Sequence, residues 1–335
     1  NALSRLASLS NFAIMHEAQA NVSIGSVAKI DSALSVLSDG EKADLLPDVV
    51  ITIGGSLVSR FVKKWLRSGS YVNGGRLRHW HVGCQPHSVD CFMCLEKRIE
   101  MDVTAFVSQL ADVVVSSQSD YSKRWAEVVA KADALDAAYA ERAPWSDYKA
   151  MSMLVPRIPE GWHLQLSNGT AVRYAQLFDY GHISRIDCNR GVSGIDGCTS
   201  TAIGAAAVTE GVTLLVTGDM SCQYDIGALA ATCISPRFKM AVLNNGGGGI
   251  FRFIDATSKL DELEERFCCR VNLPLRQLAD AYGFAYFRAE SAAEFEQVWP
   301  QFIVESERPA ILDIITPPQE SAEVLKSYFS RKLSI

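Results

Sequence analysis

An α/β fold built on doubly wound, mostly parallel sheets is predicted by three features of this 335-residue sequence. Short apolar runs recur with helical stretches between them, which is the pattern of β-α units whose strands are covered on both faces. Glycine-rich turns follow several of those runs. The composition, 48% hydrophobic and 21% charged, is that of an ordinary globular protein, and the length calls for two domains rather than one small core.

The first β-α unit is Pro47-Asp-Val-Val-Ile-Thr-Ile-Gly-Gly-Ser56, a buried strand ending in a glycine turn, followed by a helical pattern over residues 57–66. The alternation in Leu77-Arg-His-Trp-His-Val82 predicts a second strand, followed by a Cys-rich loop and helical stretches through Glu141. Residues 122–140, rich in Ala, Glu and Lys, predict a long helix joining two domains. The expected organisation is therefore a first domain over 1–117, a linker helix over 118–144 and a second domain over 145–335. Within the second domain, strands are expected at 163–166, 212–217, 240–243 and 310–315. The turns Ser167-Asn-Gly169, Gly218-Asp219 and Asn244-Asn-Gly-Gly-Gly-Gly249 follow three of them. Ligands of open parallel sheets bind beyond the carboxyl ends of the strands, so these turns predict one shared site.

A formal charge of −6 argues against a general nucleic-acid binder, which would need clustered Lys and Arg. The longest apolar runs, residues 49–54 and 212–216, fall far short of the ~20 residues a bilayer requires, so no membrane span is expected. The sequence opens Asn-Ala-Leu-Ser, with neither an initiator Met nor a secretory signal, and reads as a piece of a longer chain. Nine cysteines is an odd number, and Cys222, Cys233, Cys268 and Cys269 fall in what read as regular segments. Reduced thiols in a cytoplasmic protein are the simpler expectation.

The chemistry-bearing pattern is Thr213-Leu-Leu-Val-Thr-Gly-Asp219-Met-Ser221, then helical sequence through Ala231, then Lys239-Met-Ala-Val-Leu-Asn-Asn245-Gly-Gly247. The 26 positions from Asp219 to Asn245 accommodate one helix and one returning strand, placing both residues at strand tips. A carboxylate, an amide oxygen and a backbone carbonyl from the glycine run are hard oxygen ligands suited to Mg²⁺. Glycines at 246–249 let the backbone approach a bulky anion with positive φ angles, and a helix starting after Asp219 favours bound phosphate. Taken singly, each dipeptide reads more readily as an ordinary turn; it is the pair at this spacing, each after an apolar strand, that points to a site.

This pair of motifs resembles the signature of thiamine diphosphate (ThDP) enzymes, where the Asp, the second Asn and a carbonyl two residues later bind the metal that anchors the diphosphate. The resemblance assigns Asp219, Asn245 and the Gly247 carbonyl to Mg²⁺ (or Mn²⁺), and Gly218, Met220, Ser221, Gly248 and Ile250 to the cofactor's surroundings. Met220 departs from the Gly that many relatives carry there. A second motif, Asn189-Arg190-Gly-Val-Ser-Gly-Ile195-Asp-Gly197, is similar to the 2-succinyl-5-enolpyruvyl-6-hydroxy-3-cyclohexene-1-carboxylate (SEPHCHC) synthases of menaquinone biosynthesis. Gly54-Gly-Ser-Leu57 with Arg60, Leu166-Ser-Asn-Gly-Thr-Ala-Val-Arg173 and Tyr224-Asp225 support it, so the likeness runs from about residue 47 to the end.

What the resemblance implies is a ThDP-binding fold preceded by part of a Rossmann-like middle domain. It also implies a transferase that decarboxylates 2-oxoglutarate and adds the product carbanion to isochorismate, with thiamine as the electron sink. Both substrates carry two carboxylates, for which guanidinium forks are well matched. Arg190 and Arg173, with Asn168 beside them, are the implied substrate contacts, and Arg60 is a weaker one because its motif matches only in part. Solvated surface charge is the plain alternative for each arginine. Ile195 falls where the family places an apolar residue under the thiazolium, and Ile250 and Phe251 would form the pocket's apolar wall, although all three are also ordinary core residues. The family's pyrimidine-binding domain, which supplies the glutamate that promotes ylide formation, is matched by nothing here. No catalytic glutamate is therefore assigned in this chain, and the piece alone is expected to be inactive. Family active sites lie between subunits, so a homodimer or homotetramer is implied.

Competing readings are another ThDP-dependent 2-oxo acid decarboxylase or acetohydroxyacid synthase, and a noncatalytic nucleotide-binding module of the same fold. The Asn189-to-Asp196 segment speaks against the first and the intact Asp219 and Asn245 pair against the second. His79, His81, Cys84, His87, Cys91 and Cys94 include one Cys-x₂-Cys but no second well-spaced pair, so structural zinc is the weaker reading there. His79 and His81 would share one strand face, and Cys91 and Cys94 sit in an apolar, helical-looking stretch. The glycine run lacks the Gly-x-Gly-x-x-Gly of a dinucleotide loop, and no Gly-x-Ser-x-Gly elbow is present.

Overall fold

The computed structural model describes residues 2–22, 24, 27–85, 90–254, 256–270 and 272–331. The chain divides into two compact units, one chiefly of residues 1–17 and 22–136, the other of residues 18–21 and 137–331.

In the first unit, helices α1 (Ala2–Ala7), α2 (Ile30–Ser35) and α3 (Asp39–Asp44) precede strand β1 (Val49–Ile53). Then come α4 (Arg60–Ser68), β2 (Arg78–Val82), β3 (Leu95–Ile99), α5 (Val103–Val113) and the long helix α6 (Tyr121–Arg142). The three strands form a parallel sheet in the order β1-β2-β3. Its core gathers Leu34, Trp65, Leu66, Phe92 and Trp125, with the Trp65 and Trp125 rings edge to face at 5.5 Å. Strand β3 differs from the expectation of loop and helix between Val82 and Glu141. Its sequence, Leu-Glu-Lys-Arg-Ile, has a charged, exposed middle because it lies at the sheet edge. Cys91 and Cys94 sit in the turn leading into β3 rather than in a helix.

The long helix runs from Tyr121 to Arg142, and the division between units falls within it, after Asp136, rather than at its end near residue 144. Residues 18–21 also fall in the second unit, because Asn21 exchanges two hydrogen bonds with the Ile186 backbone.

The second unit contains α7 (Asp147–Leu154), β4 (His163–Leu166), α8 (Ala171–Ala175), β5 (Arg185–Cys188), α9 (Cys198–Val208) and β6 (Thr213–Gly218). It continues through α10 (Asp219–Tyr224), β7 (Phe238–Asn244), α11 (Leu275–Tyr282), β8 (Ala285–Ala289), α12 (Ala292–Ile303), β9 (Ala310–Ile315) and α13 (Pro318–Phe329). All six strands are parallel, in the order β5-β4-β6-β7-β9-β8. The inner strands β6, β7 and β9 read as largely apolar runs because helices cover both faces, and Leu215, Met240, Val242 and Ile311 pack there with Phe238 and Phe284. Lys239 is buried among them, its ammonium donating to the carbonyls of Phe302 at 2.7 Å and Val304 at 3.0 Å, which closes the end of α12. The expected helix through Ala231 is shorter: α10 ends at Tyr224 and a 3₁₀ segment covers Ile226–Ala230. Of the cysteines expected in regular segments, only Cys222 lies in an α-helix or strand. The chain's course reverses between β4 and β6: β5 is added on one side and β7 on the other. Such a switch point opens a crevice beyond the strands' carboxyl ends.

Candidate diphosphate and metal site

That crevice is where β6 and β7 deliver Asp219 and Asn245, both buried. The Asp219 carboxylate accepts the Gly247 N–H at 2.8 Å and the Met220 N–H at 2.6 Å, so the tip of β6 is tied to the glycine turn after β7. Burial pushes the Asp219 carboxyl up to about 6, reinforced by the charge of Asp147 and opposed by those N–H donors. Asn245 donates from its amide nitrogen to the Asp147 carboxylate at 2.8 Å, while its amide oxygen is buried and has no hydrogen-bond partner among the described residues.

The glycines there are required sterically. Gly247 has φ +137°, and a Cβ on it would lie 2.4 Å from the Cys268 carbonyl. That same carbonyl accepts the Gly248 N–H at 2.6 Å, and a Cβ on Gly249 would meet the Asn245 side chain at 2.7 Å. The Gly247 carbonyl accepts one hydrogen bond, from Gly249 N–H at 2.8 Å, which leaves it a second lone pair. A buried carboxylate, an unpaired amide oxygen and a carbonyl on a glycine cradle fit a hard divalent cation and its anionic ligand. Among the described residues no group of three or more His, Cys, Asp or Glu side chains is placed to hold a metal, and this donor set is of a different kind.

Around it lie the other residues singled out from sequence. Ser221 donates to the Ile195 carbonyl at 2.6 Å, fixing the half-buried Ile195 beside the start of α10. Gly218 is the N-cap of α10, and Met220 is half-buried in its first turn. Ile250 and Phe251 lie on a 3₁₀ turn, Gly249–Arg252, with the Phe251 ring 5.8 Å from Phe267. Arg252, in the same turn, is buried and forms a two-pronged pair with Glu264 at 2.9 Å.

Asn168 lies beside Arg190. It donates to the carbonyls of Asn189 at 2.6 Å and Gly194 at 2.7 Å, and its oxygen accepts from Arg190 at 2.7 Å. It thus brackets the Asn189-to-Gly194 loop and steadies Arg190. Arg173 is half-buried on α8, whereas Arg60 is exposed at the first residue of α4 in the first unit. Asp225 accepts from Ser200 N–H at 2.6 Å and its hydroxyl at 2.7 Å, anchoring the start of α9.

Sequence reading missed Asp147, which lies 98 positions from its partner Asn245. The only local signal, Ser146 capping α7, marks a helix start and says nothing of the site. In the Cys/His segment, Thr52 hydrogen-bonds His79 at 2.7 Å and His81 at 3.0 Å, so the two rings do share a face. Burial holds His79 down at about 4, which keeps it neutral, and His87 lies outside the described residues. No helix among the described residues is long and apolar enough to cross a membrane.

Residues 169–314 match the family described as thiamine pyrophosphate enzyme, C-terminal TPP binding domain. Three relatives bear the name 2-succinyl-5-enolpyruvyl-6-hydroxy-3-cyclohexene-1-carboxylate synthase. The one from Porphyromonas gingivalis is 39% identical over 87% of this chain and 51% of its own length. Those from Flavobacterium psychrophilum (33%, over 97% and 58%) and Christiangramia forsetii (34%, over 90% and 52%) are similar. The chain spans about half the length of the curated relatives it matches.

Proposed function

We propose that this chain, which matches the C-terminal TPP binding domain over residues 169–314 and is 39% identical to the Porphyromonas gingivalis synthase, belongs to the thiamine diphosphate enzyme family and forms the diphosphate- and cation-binding part of a SEPHCHC synthase. Such an enzyme joins 2-oxoglutarate to isochorismate with loss of CO₂. The observation that carries the reading is the buried Asp219 carboxylate tied to the Gly247 N–H, at the same glycine run whose preceding Asn245 has a buried oxygen without a partner among the described residues.

In this reading Asp219, Asn245 and the Gly247 carbonyl hold Mg²⁺ or Mn²⁺, and the backbone of Gly218 to Ser221 and of Gly247 and Gly248 receives the diphosphate. Thiamine diphosphate, when bound, supplies the electron sink for decarboxylation and carbon–carbon bond formation. Ile195, Ile250 and Phe251 exclude water around its ring. Arg190, held by Asn168, and Arg173 neutralise substrate carboxylates, a task for which a planar five-donor guanidinium suits an otherwise acidic protein. A cytoplasmic homodimer or homotetramer is the form we propose.

The test is CO₂ release from 2-oxoglutarate by the full-length protein with ThDP and Mg²⁺, with and without isochorismate, beside Asp219→Ala. Release that isochorismate accelerates and the substitution abolishes is the expected result. Turnover of pyruvate but not 2-oxoglutarate would refute the substrates and favour another 2-oxo acid decarboxylase.

A further inference from the structure

We infer that Asp147 is a positioning residue that decides which end of the Asn245 amide faces the cation site. The inference rests on the reading of Asp219 and Asn245 as cation ligands. A carboxamide has two ends of nearly equal shape and opposite polarity, and only its oxygen can bind a cation.

Asp147 selects it by chemistry. Its carboxylate lies 2.8 Å from Asn245 Nδ2, and a carboxylate accepts without donating, so it takes the nitrogen end. The oxygen is thereby turned the other way, where it lies buried without a partner among the described residues. A buried amide oxygen left unpaired is costly, and a cation would complete it.

Asp147 is itself held from several directions. The Thr316 hydroxyl donates to its other carboxylate oxygen at 2.5 Å, and its own N–H donates to the Ser321 hydroxyl at 3.0 Å. Thr316 follows β9, and its N–H donates to the Asn244 carbonyl at 3.1 Å, so the strand end that presents Asn245 also places the group that pins Asp147. Four places in the fold (the starts of α7 and α13 and the ends of β7 and β9) converge on this one amide. Removing a partner that orients a metal ligand lowers metal affinity about 10–100-fold.

The experiment measures Mn²⁺ binding to the full-length protein with ThDP, by electron paramagnetic resonance of free Mn²⁺. Four proteins are compared with wild type: Asp147→Asn, Asn245→Asp, the double variant, and Asp219→Ala. A carboxamide in place of the Asp147 carboxylate could offer Asn245 either polarity, so Asp147→Asn is expected to weaken Mn²⁺ binding about 10–100-fold. In the Asn245→Asp background both ends of the side chain are oxygens, and the same change should not weaken binding. Equal weakening in both backgrounds would mean that only charge is lost, and unchanged binding in both would mean a structural role alone. Either result overturns the inference. Should Asp147→Asn fail to fold, Thr316→Val takes its place, with at least about threefold weaker binding expected and wild-type affinity refuting. Asp219→Ala separates the two readings: if it binds Mn²⁺ like wild type the ligand assignment falls and the inference with it. If it loses binding while Asp147→Asn does not, the inference alone falls.

Discussion

Each compact unit buries acids, and the two treat them differently. In the first, Asp136 receives the Lys29 ammonium at 2.8 Å and the Ser32 hydroxyl at 2.8 Å, while Glu17 takes the N–H groups of Val58 at 2.9 Å and Ser59 at 2.7 Å. Those acids close local structure. In the second, Asp147 and Asp219 are both pushed up by burial; Asp147 grips an amide whose oxygen has no partner among the described residues, and Asp219 holds the glycine turn that follows it. The glycines repeat the contrast. Gly54 has φ +91° with open space where a Cβ would go, whereas Gly247 has φ +137° with a carbonyl 2.4 Å from that point. A buried acid marks a ligand site when the protein leaves something near it unsatisfied, and a glycine does so when space as well as φ demands it.

The sharpest way to break this comparison is to remove acids from each unit. Asp219→Ala should weaken Mn²⁺ binding in the presence of ThDP by at least about 100-fold, more than loss of a group that merely orients a ligand. Asp136→Asn should leave that binding unchanged. Equal effects on Mn²⁺ titration would erase the distinction between closing and ligating acids.

Backbone strain gives the next effect. Gly247→Ala combines an unfavourable φ with a clash against backbone and should cost about 3 kcal/mol or more in urea unfolding, with loss of the site. Gly54→Ala carries the φ penalty alone, about 1 kcal/mol.

Lys29→Met leaves Asp136, which is largely buried, and Asp133, which is half exposed, without their cation. Discounted for that partial exposure, a loss of about 2 kcal/mol is expected on thermal or urea denaturation, again with Mn²⁺ affinity intact.

The pH dependence is the finest test. Because the folded Asp219 titrates near 6, above the ~3.9 of an unfolded Asp, its ionisation opposes folding of the metal-free protein. The sign follows: this residue favours the folded state below about pH 4, and that contribution is lost as pH rises through 6. Asp219→Asn should therefore gain stability over wild type across about pH 4–6, levelling near 2–3 kcal/mol. The same proton competes with the cation, so Mn²⁺ affinity should fall up to about tenfold per pH unit below 6. A flat difference between wild type and Asp219→Asn would mean that burial does not perturb this acid.

The sequence by itself determined the elements whose signals are local. Apolar runs marked β1, β6, β7 and β9, the last three being inner strands covered on both faces, and Leu164 and Leu166 marked β4. Glycine turns at fixed spacing after them marked Asp219, Asn245 and Gly247. The edge strands β3, β5 and β8 escaped, since an edge has fewer neighbours and tolerates Glu96, Arg185 or Arg288. Only the tertiary structure decided that Asn168 braces a loop, that Cys268 backs the glycine run, and that Asp147 grips Asn245 from 98 positions away. Hydrogen-bond partners across a parallel sheet depend on strand order and crossover, which place residues distant in sequence at one carboxyl end, and no local pattern in the sequence encodes that meeting.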